Sequence, residues 1–201
     1  MPRPASSSKQ KVVTELRRSE ILAAATKVFG NKGFDATLMD EIARTAGLAK
    51  GTLYLYFKSK DDIYQAVVRQ ALAELDELTR QHVNAVPDFA GKYAAFIRVR
   101  IAFWQEQYSL YRVILSMSRA PQYRKKSIGW QREAVLYLAE LLEQGAAAGE
   151  VPQQDFLATA WTTMDAIRGV NERRVFSDSA TRTVEEDTAF LTRFLLTAAG
   201  A

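Results

Sequence analysis

From Leu38 to Lys60 the apolar positions fall into two short helical registers separated by one glycine. Leu38, Ile42 and Ala43 share a face at the 3.6-residue period. That register stops at Ala46-Gly47, where glycine can take the left-handed conformation that closes a helix and turns the chain. Thr37 can cap the first helix through its hydroxyl, and Glu41 puts a carboxylate near its positive end. A second helix is expected from Ala49 to about Leu55. Leu48, Leu53 and Phe57 look inward, which leaves Lys50, Thr52, Tyr54 and Tyr56 for another surface. Gly51 in mid-helix costs about 1 kcal/mol against alanine and lets something bulky approach the backbone. In a major groove that something is a base edge or the sugar-phosphate chain.

The same period recurs at greater length on both sides. Residues 1–13, rich in proline, serine and lysine, read as a disordered tail. Thr14 to Asn31 forms a helix whose apolar face holds Leu16, Ile21, Leu22, Ala25, Val28 and Phe29; Asn31 and Gly33 end it. A helix from Ser59 or Asp61 to about Arg80 carries Ile63, Val67, Ala71, Leu75 and Leu78, and is long enough to link a head to a body. His82 to Pro87 break the pattern. Helices then follow over 88–107, 109–117, 123–145 and 155–172, the third with Ile128 among its core candidates. A connector over 144–151 and a loop over 171–181 separate the later ones. Thr183 and Glu186 match a capping box before a last helix that carries Ala189, Phe190, Phe194 and Leu195. The fold class is all-α: a helix-turn-helix head over 14–60 and a helical body over 61–201. Ala160, Gly169, Ala189 and Phe190 are expected where two copies pack.

Charge divides the chain at the same place. Residues 1–60 hold 11 Lys and Arg against 5 Asp and Glu, a net of +6; the whole chain holds 27 against 23, so residues 61–201 hold 16 against 18, a net of −2. A cationic head suits phosphate. With no cysteine and one histidine, His82, neither a metal centre nor acid–base catalysis is expected. No cofactor is expected either. Residues 1–11 lack the apolar core of a signal peptide, and no apolar run reaches the roughly 18 residues of a membrane span. A cytoplasmic protein without a membrane partner is the expectation.

The stretch over about 15–65 resembles the N-terminal domain of the tetracycline-repressor (TetR) family of transcriptional regulators. The likeness rests on Ser19-Glu20-Ile21-Leu22-Ala23-Ala24-Ala25, Phe29, Lys32-Gly33-Phe34, Thr37, Ile42-Ala43, Ala46-Gly47, Lys50-Gly51-Thr52-Leu53-Tyr54 and Tyr56-Phe57-Lys58-Ser59-Lys60. It implies a homodimer, formed through the last two long helices, that binds a palindromic double-stranded DNA operator, most often as a repressor. It also implies a body that takes a small-molecule effector. By the same likeness Thr37, Lys50, Gly51, Thr52, Tyr54, Tyr56 and Lys60 face DNA. Lys50 and Thr52 would read the groove; Thr37, Tyr56 and Lys60 would hold phosphates. Ala49 and Leu55 stand where many relatives carry hydroxyl-bearing side chains, so the operator sequence does not carry over.

The body has an excess of large aromatics. Tyr93, Phe96, Trp104, Tyr108, Tyr111, Trp130, Tyr137 and Trp161 are expected to wall a pocket for a mainly hydrophobic or aromatic effector. Arg100 either snorkels to water or meets an anionic end. Two rival readings stand beside this one. One is a small-molecule carrier or enzyme with a DNA-binding head, which the absence of a Ser-His-Asp spacing disfavours. The other is an architectural DNA-binding protein that ignores effectors.

Overall fold

Nine α-helices and no strand make up the described residues of the computed structural model, which are 5–118, 120–176 and 182–199. They are α1 Ala5–Lys32, α2 Met39–Thr45, α3 Lys50–Tyr56, α4 Lys60–Asn84, α5 Phe89–Glu106, α6 Tyr108–Ser118, α7 Pro121–Ala147, α8 Phe156–Phe176 and α9 Val184–Ala199. No helix among the described residues is long and apolar enough to cross a membrane.

Local chemistry sets the ends of several helices. The Ser59 hydroxyl accepts from the Asp62 N–H at 3.1 Å and opens α4; Asp88 accepts from Gly91 at 2.8 Å and opens α5. The expected capping box opens α9: Thr183 N–H donates to the Glu186 carboxylate at 2.7 Å, and Glu186 N–H donates to the Thr183 hydroxyl at 3.1 Å. Hydrogen bonds from the Thr183 backbone and side chain hold the Glu186 carboxyl below its usual range. Between α2 and α3, Gly47 has φ +68°. Its neighbour Leu48 donates back to the Ala43 carbonyl at 2.8 Å, the six-to-one bond of a Schellman turn.

Two buried clusters hold the molecule. The first joins α1, α2, α3 and the start of α4 to α6, with Val99, Phe103 and Trp104 from α5 and Tyr123 from α7. The second joins the end of α4 to α5, α7, α8 and α9. The first cluster therefore crosses the expected head–body boundary at residue 60. A Cβ at Gly30 of α1 would sit 2.8 Å from the Ser109 Cβ of α6, so the head helix and a body helix touch where only glycine fits.

Several sequence expectations need correction. The chain is helical from Ala5, so the tail read over 1–13 is not disordered where it is described; residues 1–4 lie outside the described residues. Extending an existing helix needs only one more fixed residue per bond; Val12, Val13 and Leu16 on it are exposed. Leu38 and Ile128 are exposed too, against their reading as core. Thr37 does not cap α2; Leu38 is the N-cap residue, and its N–H donates to Glu41 at 3.2 Å. α4 runs through His82 to Asn84 because Val83 is buried in the second cluster. α7 reaches into the expected connector, to Ala147. α8 likewise runs on to Phe176 through the expected loop, whose residues 177–181 lie outside the described residues. Ala160 is fully buried within its own chain and is not at a surface where copies pack.

Candidate nucleic-acid interface and effector cavity

α3 is short and one-sided. Leu53 is fully buried, and Leu48 and Phe57 pack beside it in the first cluster. The opposite side presents Lys50, Gly51, Tyr54 and Leu55 to solvent. Gly51 meets no atom within 4 Å of an added Cβ, so its outer face is open. Lys50 pairs with Asp40 of α2 at 2.8 Å, both side chains more than half exposed. That contact raises the Lys50 pKa, chiefly through the hydrogen bond to Asp40. The pair is solvated, so a phosphate or base can displace the carboxylate at little cost. Thr52 and Tyr56 are half-buried.

Two residues expected at DNA are placed elsewhere. Thr37 is only 1% exposed, and its hydroxyl donates to the Gly33 carbonyl at 2.7 Å. Lys60 turns inward: its ammonium donates to the carbonyls of Phe34, Asp35 and Thr37 at 2.7, 3.0 and 2.8 Å. Nζ also lies 4.5 Å from the Phe34 ring centroid. All three ammonium protons are engaged, so Lys60 clamps the α1–α2 loop instead of holding a phosphate. Leu55, read only as a missing hydroxyl, is the most exposed large apolar side chain described, at 83%. Its spacing of two from the inward Leu53 is the signal that sets it outward. Arg18 of α1 reaches this region as well, 4.4 Å over the Phe57 ring.

The body holds a cavity of about 290 Å³ between α4, α5, α6, α7 and α8, near the lower bound for small-molecule sites. Of the nine residues expected to line it, Arg100, Trp104, Tyr111 and Trp130 do so. The other five do not. The Tyr93 hydroxyl is tied to that of Thr163 at 2.6 Å, and burial pushes its pKa up to about 12. Phe96 is fully buried and stacks on Tyr137, with ring centroids 6.3 Å apart. The Tyr108 hydroxyl donates to the Val175 carbonyl at 3.2 Å on the surface. Trp161 packs against the second cluster. Sequence reasoning missed Leu72, Leu75, Ile114, Met164, Ile167 and Asn171 in the wall. These are mostly aliphatic side chains on the same helical stripes, where period alone does not separate cavity wall from core.

Arg100 neither snorkels nor stands free. It is 3% exposed and donates to Asp76 at 2.8 Å, with its guanidinium 4.5 Å from the Phe96 ring centroid. Burial lowers its pKa, and Asp76 opposes that shift. Among the described residues no group of His, Cys, Asp and Glu could hold a metal ion.

A helix-turn-helix head fused through one long helix to an all-α body with an internal cavity defines a class of DNA-binding regulator. Residues 21–67 match the model of bacterial regulatory proteins of the tetR family, so that stretch is similar to the DNA-binding head of those regulators. Over 98 residues it is 35% identical to the HTH-type transcriptional activator FasR of Mycolicibacterium smegmatis, covering 49% of this chain and 45% of that protein. The match thus spans less than half the length of that relative. The fold extends further. FadR from Bacillus subtilis, solved in complex with stearoyl-CoA, superposes with a TM-score of 0.81 at 21% identity, covering 89% of this chain and 97% of that one. The TetR-family regulator PfmR from Thermus thermophilus gives 0.69 at 25% identity over 88% and 97%.

Proposed function

We propose that the protein is a one-component transcriptional regulator that binds a palindromic operator as a homodimer in the cytoplasm. It acts as a repressor and is released when a mainly apolar small molecule fills the body cavity. The observation that carries this reading is a shared wall. Trp130 lines the cavity and also packs edge-on against Tyr64 at 6.3 Å; Tyr64 in turn packs against Phe34 at 5.4 Å. Phe34 supplies one of the carbonyls that Lys60 grips. Val68, Leu72, Leu75 and Asp76 of the cavity wall lie on α4, the helix that begins at Lys60. A guest that displaces this wall must disturb the brace of the helix-turn-helix. Binding of DNA and guest are then linked through one equilibrium.

The exposed apolar side chains Leu157 of α8 and Phe190 and Phe194 of α9 supply the dimer face. Gly169 of α8 leaves open space there for a close approach. Dimerisation doubles the few base pairs that one short helix reads. Leucine, isoleucine, methionine and tryptophan in the cavity wall suit hydrocarbon or aromatic guests. The FadR structure with its stearoyl-CoA adds fatty acyl compounds to the candidates.

The test is selection of a binding site from random DNA, followed by titration of that site with apolar guests. A two-fold symmetric site is expected, with affinity that falls as the guest raises the melting temperature. Phe194→Glu should give monomers that lose the site. Equal affinity for selected and random DNA would overturn the reading.

A further inference from the structure

The cavity has a polar inner end that the apolar reading of its walls leaves unexplained. Arg100 and Asn171 both line it, and each is 3% exposed. Each also carries a buried atom without a hydrogen-bond partner: Nε of Arg100 and Oδ1 of Asn171. The two residues are neighbours, with Asn171 Nδ2 donating to the Arg100 carbonyl at 3.5 Å, a long contact that turns the amide oxygen away from that carbonyl. Buried polar atoms are nearly always paired, so two orphans on neighbouring residues of a cavity wall call for a partner.

We infer that this inner end receives an uncharged group of the effector that both accepts and donates a hydrogen bond, a hydroxyl or a carboxamide. The proposal rests on the cavity's being the effector site. The orphan pair consists of one donor, Nε–H, and one acceptor, Oδ1. A carboxylate satisfies only the donor and sets its lone pairs against the amide oxygen. The guanidinium charge is already met by Asp76 at 2.8 Å, so an anion gains little from it and still loses its hydration. A purely hydrocarbon guest leaves both atoms unpaired. The exposed side chains of Arg124, Ile128 and Arg168 in the lining mark where the cavity meets solvent. The effector is thus an apolar body whose buried end carries a neutral hydrogen-bonding group.

Octane, octanol, octanamide and octanoate share one chain and differ at one end. Calorimetric titration of the full chain with each should show octanol and octanamide binding about tenfold or more tighter than octane, and octanoate no tighter than octane. Asn171→Leu should remove the advantage of octanamide and leave octane unchanged. The unmutated protein decides the matter even if the variant fails to fold. Octane binding as tightly as octanol and octanamide, or octanoate binding best, overturns the inference and leaves the cavity as an effector site. Failure of every probe to bind, octane included, overturns the reading of the cavity and this inference with it.

Discussion

The head and the cavity use aromatic residues in opposite ways. Under the head, Phe29 and Phe34 meet Tyr64 of α4 and Tyr123 of α7 ring to ring at 5.4 to 6.4 Å and close the core that joins head to body. In the body, Trp104 and Tyr111 pair at 4.9 Å but leave one side facing empty space. The same residue types give a rigid reading head in one place and a receptive wall in the other. What differs is how many sides of each ring have neighbours. A ring enclosed on every side transmits strain; a ring with one free side can move when that side fills.

That contrast predicts unequal responses to truncation. Phe29→Ala, in the closed core, should cost about 3–5 kcal/mol and abolish DNA binding, as read by chemical denaturation and gel shift. A loss under 1 kcal/mol would show that the head core relaxes, and the contrast with the cavity would vanish. Lys50→Ala should weaken the selected operator about ten- to hundredfold and random DNA far less. Equal weakening on both would make it a phosphate contact. Lys60→Ala should lower head stability by roughly 1–2 kcal/mol, because three carbonyls lose their donor. Its salt dependence of DNA binding should keep the slope of the unmutated protein, whereas a slope lower by about one would return Lys60 to a phosphate. Trp104→Ala should have the smallest effect on ligand-free DNA binding, since Trp104 lies in the cavity wall and not in the helix-turn-helix. It should still impair the response to ligand, measured as the operator affinity lost per unit of guest added.

The head was more legible in the sequence than the body, for a physical reason. Its elements are short, so a handful of local signals such as Gly47, Ser59 and the Leu53–Phe57 pair specify them almost completely. The roles of single residues were less legible. Thr37 and Lys60 are polar residues beside a helix end, and one sequence suits either a phosphate or a backbone carbonyl. Only the path of the α1–α2 loop, which brings three oxygens to Lys60, decides between them. In the body, period alone recovered the helices but not which side of each faces the cavity. Phe96 and Trp104 lie eight apart on one stripe of α5; one is sealed against Tyr137 and the other lines space. The partner of Arg100 was out of reach for the same reason, since Asp76 sits 24 positions earlier on another helix.

The three oxygens around Lys60 amount to a cation site whose ion is tethered to the chain. The shell is backbone carbonyl, as around a bound alkali ion, with the Phe34 ring beside it, so its strength depends on the charge and compact shape of the guest. A guanidinium offers a flat fork and would not fill a three-oxygen cradle in the same way. Lys60→Arg is therefore a change of shape, not a conservative swap. Acylation of the amine would remove the charge altogether. Either change should loosen the turn that seats α2 while the exposed side chains of α3 stay as they were, so one inward-turned lysine can set how firmly the helix-turn-helix is held together.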